Sequence, residues 1–230
     1  MRKTTNIIVL VLLGTMISSC AQSNGDKEQI APEELTTWQT FDKGKTTVQG
    51  DELIVEETEG SDGYFMISPK KYADDFTLTY KVKAMSESTV LITLFSVTQN
   101  DGVEGFQLPA HTATPREVWN WRSEMEHYNL TINNSSHGNT PFFFKNVNPN
   151  FRGFYQNLKE NIMKVGQWYD VEIGKKENRL WFKLDNKTYF DVEDCNPFSG
   201  GQLIFRISGT TGEKVIFAKA AFKDIGISYE

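Results

Sequence analysis

The 230 residues carry 30 acidic side chains against 24 basic ones, a net charge of −6, and no basic cluster breaks that balance, which excludes nucleic acid as a natural partner. Two cysteines cannot build a disulfide framework, so the fold depends on a hydrophobic core, and 13% aromatic residues supply its bulk. The acidic balance also makes an anionic polymer an unnatural substrate unless a local basic pocket exists.

At the start of the chain, Arg2 and Lys3 precede an apolar run over residues 7–17, followed by Ser18, Ser19 and Cys20. These are the parts of an export signal, and the run is too short to persist as a bilayer-spanning helix. The small residues ending in Cys20 resemble the lipobox of bacterial lipoproteins. In that family the matching cysteine takes the lipid and becomes the new N-terminus. An ordinary secretory signal with an incidental cysteine is the alternative. Ala21, where an Asp would signal inner-membrane retention, implies an outer-membrane lipoprotein facing the periplasm or the cell surface. Loss of residues 1–19 removes two basic and no acidic side chains, leaving a net charge of −8. Residues 20–35 are polar and aperiodic and read as a tether, which leaves 36–230 as one domain.

Beyond Trp38 the pattern is short strands and turns. "FTLTYKVKA" alternates Phe76, Leu78, Tyr80 and Val82 with Thr77, Thr79, Lys81 and Lys83, as a strand with one wet face does. "YDVEIG" repeats the alternation, and "RLWFKLDNKTYFDV" reads as a hairpin turning at Asp185 and Asn186. Further strands are expected at "ELIVEE", "YFMIS", "TVLITLFSV", "QLIFRIS" and "KVIFAKAAFKDIGIS". "PREVWNWRSEM" offers at most one short helix. Many short strands imply an all-β sandwich of two antiparallel sheets.

In "SEMEHYNLTINNSSHGNTPFFFKN" an extended chain puts His127, Asn129, Thr131 and Asn133 on one face and Tyr128, Leu130 and Ile132 on the other. The strand order, with "VQGDELIVEE", "YADDFTLTYKVKA", "GQWYDVEIGKKENRLWFKLDNKTYFDV" and "FKDIGIS", resembles the concanavalin A-like lectin/glucanase superfamily. "HYNLTINNSSHGNTPFFFKN" is similar to small YesU-like domains of polysaccharide-degrading bacteria. The resemblance implies a jelly-roll β-sandwich whose concave sheet presents a groove, with the row from His127 to Asn133 lining it and a polysaccharide or oligosaccharide as ligand. Side-chain amides pair with sugar hydroxyls as both donors and acceptors. Aromatic rings from Trp119, Trp121, Tyr155 or Trp181 would stack on sugar faces.

Three chemistries fit these residues. Glu124 and Glu126, two apart on a strand, are close enough for the carboxylate pair of a retaining glycosidase, although they also read as a solvated pair and share a face with Tyr128 rather than with the polar row. The superfamily's Glu-x-Asp-x-x-Glu pattern is broken here: Met125 and His127 flank Glu126, and Asn129 stands where the third acid would be. A lyase would use His127, assisted by Tyr128, as base, with Arg122, Asn129 and His137 neutralising a carboxylate. A non-catalytic binding module would use the same groove, with Arg122, Asn129, Asn133, His137, Asn139, Trp121, Arg152 and Tyr155 as ligand contacts, and "NPNFRGFYQN" as a long loop forming one wall. His111, His127 and His137 are the only histidines, and none has the spacing of a zinc site, so no metal cofactor is expected. A structural calcium on Asp62, Asp101 or Asp224 is conceivable without being locatable.

Overall fold

The structure, a computed structural model, describes residues 27–99, 107–110, 112–133, 140–148, 151–210 and 214–229. Cys20, Asp101, His111, His137 and Asn139 therefore lie outside the described residues. The alternation read from the sequence sets the layers. One sheet runs β13 (Lys187–Glu193), β12 (Arg179–Leu184), β11 (Trp168–Lys176), β6 (Phe76–Ala84), β15 (Lys219–Ser228), β4 (Glu52–Glu57) and β3 (Gly44–Gln49), with β1 (Lys27–Ile30) paired to β15 as an eighth strand. The other runs β10 (Phe151–Asn157), β9 (Phe142–Val147), β8 (Glu126–Asn133), β7 (Val90–Thr98), β14 (Gln202–Ser208), β5 (Tyr64–Lys71) and β2 (Gln39–Phe41). Every strand pairing is antiparallel.

Between the sheets, the inward residues of β6, β11, β7, β8 and β14 form one core that includes Tyr80, Val171, Phe95, Tyr128, Leu130 and Phe205. The predicted hairpin is present: Asp185 and Asn186 have φ of 49° and 63°, the left-handed pair a two-residue turn between right-twisted strands requires. Two expectations are corrected. The segment read as tether already belongs to the fold from Lys27, because β1 pairs with β15 and Ile30 and Leu35 are buried, the latter at the end of α1 (Pro32–Leu35). "NPNFRGFYQN" supplies the edge strand β10 rather than a loop, with a bulge between Arg152 and Tyr155.

The one short helix allowed by "PREVWNWRSEM" is present and well capped. α2 (Pro115–Glu124) starts at a capping box in which the Thr114 hydroxyl accepts from Glu117 N–H and the Glu117 carboxylate accepts from Thr114 N–H. It packs on the outer face of the seven-stranded sheet. Val118 is buried there with Phe65, Ile67, Ile92, Leu94 and Ile204, while the Trp121 ring sits 5.5 Å from those of both Phe41 and Phe65. This second core covers the β7–β14–β5–β2 half of the face and leaves the β8–β9–β10 half as a groove.

At the sheet edge a buried charged network ties the two layers together. Lys145 of β9 lies 2.8 Å from Asp194, which follows β13, and donates to the Asn196 carbonyl as well. Tyr128 donates to Asp194 Oδ2 at 2.7 Å and accepts from Phe198 N–H.

Candidate functional site

The register builds the groove row by row. Arg152, Asn146 and His127 are opposed across β10, β9 and β8; Tyr155, Phe144, Asn129 and Leu94 form the next row; Phe142, Thr131, Ile92 and Arg206 form a third. Side chains two apart on a strand share a face, so all of these stand on the outer surface of the sheet. All of these except Leu94 and Tyr155 line a cavity of about 250 Å³, closed on the helix side by Trp119, Arg122 and Ser123.

His127 is fully sequestered, at 2% exposure. Its Nδ1 lies 3.0 Å from the Met125 carbonyl, an oxygen that can only accept, so Nδ1 carries the hydrogen and Nε2 the lone pair. Burial, and secondarily the charge of Arg122, push the imidazole down to about 3, while the Met125 bond acts the other way. His127 is therefore neutral at any ordinary pH. Asn146 donates both to Met125 O at 2.8 Å and to Ser123 O at 2.9 Å, fixing the turn from α2 into β8 and with it the placement of Arg122. Asn129 spends one amide hydrogen on Thr131 Oγ1.

Three arginines line the cavity, and no carboxylate does so among the described residues. The Arg122 guanidinium lies 4.7 Å from the centre of the Trp119 ring, and burial together with the like charge of Arg206 pulls it down to about 9, still cationic at neutral pH. The Arg206 guanidinium carbon lies 5.0 Å from the centre of the Phe65 ring, with Nη2 donating to the Asp62 carbonyl at 2.7 Å. Burial lowers it, and the charges of Asp62, Glu57 and Asp42 work in the opposite direction. That position exists because residue 63 is glycine: its φ is +110°, and a Cβ there would meet Arg206 Nη2 at 2.3 Å. Arg152, exposed, stands 5.2 Å from the Phe144 ring and 5.0 Å from that of Tyr155, at the open edge.

Of the residues singled out in the sequence, the cavity brings together His127, Asn129, Asn133, Arg122 and Arg152. Tyr155 stands beside them, its ring 5.9 Å from that of Phe142 in a stack. Others lie elsewhere. Glu124 ends α2, exposed, and Glu126 opposes Thr98 across β7; neither lines the cavity, because the chain changes from helix to strand between them. Tyr128 points into the sandwich, where its hydroxyl serves Asp194 and Phe198. Trp121 is a helix anchor, with Nε1 donating to the Gln107 carbonyl, and Trp119 is the ring left facing the cavity. Trp181 lies on the other sheet, bonded to Glu172. Among the described residues no three His, Cys, Asp or Glu side chains gather as a metal site, and Asp224 is engaged with Lys81.

Arg206 and Asn146 were missed as site residues, whereas Trp119 is among the expected stacking rings. "QLIFRIS" carries the signal for the first: a lone cation in the middle of a largely apolar central strand needs a reason to be there.

The model of the 3-keto-alpha-glucoside-1,2-lyase-like domain matches residues 29–228. The chain belongs to this family. No curated protein matches it by sequence. Among solved structures, this family member is similar to a Bacillus subtilis protein of unknown function with a galectin-like fold, at TM-score 0.65 and 12% identity, covering 86% of this chain and 91% of that one. It is also similar to the carbohydrate-binding module CBM66 from Bacillus subtilis, at TM-score 0.55 and 15% identity over 84% and 96%. A prokaryotic β-1,3-1,4-glucanase (lichenase) from a mouse hindgut metagenome aligns at TM-score 0.56 and 11% identity over 89% and 98%. Identities this low establish the fold alone, a jelly-roll sandwich of two antiparallel sheets.

Proposed function

We propose that this chain cleaves 3-keto-glycosides by elimination across C1 and C2, and that it does so outside the cytoplasm as a lipoprotein anchored through Cys20. The observation that carries the reading is the sign of the charge around the groove. Retaining and inverting glycosidases pass through an oxocarbenium-like transition state, which is cationic and needs two carboxylates. Three guanidiniums and no acid among the described lining residues would oppose that state. Elimination beside a ketone builds negative charge instead, which such a wall stabilises.

The family description supports this chemistry with its 3-keto-α-glucoside and its 1,2-lyase. A ketone at C3 acidifies the C2 hydrogen. His127 Nε2 takes that proton, the C–H electrons form the C2–C3 double bond of an enolate, and the charge on O3 faces Arg122. Collapse of the enolate restores the ketone, forms the C1–C2 double bond and breaks the bond from C1 to the leaving oxygen, which takes a proton from solvent while His127 gives its proton back to solvent. Burial and Arg122 disfavour an imidazolium in the empty groove. The enolate formed beside it supplies the compensating charge, so proton transfer is coupled to the presence of the right substrate.

The test is release of p-nitrophenol from p-nitrophenyl 3-keto-α-glucoside and from its unoxidised parent. Release from the ketone alone, slowed by deuterium at C2 and lost in His127→Asn with folding intact, is expected. Equal turnover of the unoxidised glucoside would replace the reading with hydrolysis, and binding without release from either would leave a glycan-binding module.

A further inference from the structure

The groove is more positive than one enolate requires. Arg122 and Arg206 already stand at the helix-covered side, close enough that the charge of Arg206 lowers Arg122. Arg152 adds a third cation at the opposite edge, and no carboxylate lies within ion-pairing distance of it among the described residues. Arg206 has the charges of Asp62, Glu57 and Asp42 behind it and Arg122 that of Asp62, so among the described residues it is at Arg152 that the counter-charge is left for the occupant to bring.

We infer that the natural ligand is an acidic glycoside, in which a carboxylate-bearing sugar of the uronate class sits against Arg152, Phe144 and Tyr155 next to the reacting ring. This rests on the elimination reading for which end of the ligand goes where. A permanent carboxylate beside His127 and Arg122 would oppose the growth of a second negative charge at O3, so the two charges belong at separate cations. The register supplies the separation: Arg152 and His127 occupy one row with β9 between them, two strand spacings or about 10 Å apart. That is about the length of a disaccharide. Beside this line, in the next two rows, the rings of Phe144, Tyr155 and Phe142 lie 5.9 to 6.4 Å apart with interplanar angles of 25° to 32°, an aromatic surface for the apolar side of a sugar. A guanidinium held over such rings keeps its N–H edge for a planar two-oxygen anion.

D-glucuronate and D-glucose differ only in the C6 carboxylate and serve as probes. Titrated by calorimetry or ligand-observed NMR at low salt, glucuronate is expected to bind the protein at least about tenfold more tightly than glucose. Arg152→Gln, a change at an exposed position, is expected to bring glucuronate down to the glucose level. Equal affinities, or no detectable glucuronate binding into the millimolar range, overturn the inference. So does a preference that survives Arg152→Gln and disappears in Arg122→Gln, which would seat the carboxylate at the helix side. Release of p-nitrophenol from the neutral ketoglucoside reports on elimination alone. A protein that eliminates without preferring glucuronate fails only here, and one that prefers glucuronate without eliminating fails only there.

Discussion

His127→Asn should make the protein less sensitive to acid. Asparagine keeps an N–H where Nδ1 meets the Met125 carbonyl but does not titrate. In the wild-type chain the folded imidazole is held down to about 3, against an ordinary 6.5. Between those two values the unfolded chain binds a proton that the folded chain refuses, so stability rises with pH and falls as the pH drops through the window. From neutrality to about pH 4.5 the imidazole crosses two units of that window, which at 1.36 kcal/mol per unit costs about 3 kcal/mol. Urea denaturation of both proteins at about pH 7 and about pH 4.5 measures it as a difference of differences. Acid loss from Asp194, whose carboxyl is held low by Lys145 and Tyr128 against the effect of burial, is common to both proteins and cancels. If both lose the same stability, His127 is protonated or solvated in the native protein, and its role as a buried neutral base falls with that result.

The remaining expectations follow from particular contacts. Asp194→Asn leaves Lys145 buried without its counter-charge and should cost about 3 kcal/mol in urea denaturation; a loss below about 1 kcal/mol would mean that the network is hydrated. Glu124→Gln combined with Glu126→Gln should leave ketoglucoside turnover within about twofold, whereas a hundredfold loss would restore a carboxylate mechanism. Arg122→Gln should lower kcat about a hundredfold with little change in the far-ultraviolet spectrum, as removal of one oxyanion donor does. Gly63→Ala should destabilise by about 1–3 kcal/mol and displace Arg206, read as melting temperature; a neutral result would show that the loop yields.

The layers were legible in the sequence because the period of two is local. His127, Asn129, Thr131 and Asn133 share a face by backbone geometry whatever they pack against, and so do Tyr128, Leu130 and Ile132 opposite them. What α2 does was legible only in part. "TPRE" carries the capping box, yet the helix has few apolar residues, and its Val118 and Trp121 find their partners on β2, β5 and β7, far away in the chain. Treating Glu124 and Glu126 as strand neighbours failed for the same reason: the helix runs to Glu124, so the spacing of two does not place them on one face. Arg206 needed the strand order. Only the pairing of β14 with β7, and β7 with β8, carries a residue near the C-terminus into the row of Thr131.

The helix also explains how an acidic chain comes to hold a cationic groove. Without α2, the outer face of β5, β7 and β14 would be an exposed apolar patch of Phe65, Ile67, Ile92, Leu94 and Ile204. Covering it places the last turn of α2 against β8, where Asn146 holds the Met125 and Ser123 carbonyls. That turn carries Arg122, a cation favoured at a helix C-terminus. The contact that completes the second core thus delivers the charge nearest His127, and it also removes water from the imidazole. Packing, the neutrality of His127 and the positive wall are consequences of one docking event, so a variant that loosens α2 should change all three together, whereas Arg152→Gln should change only the outer edge.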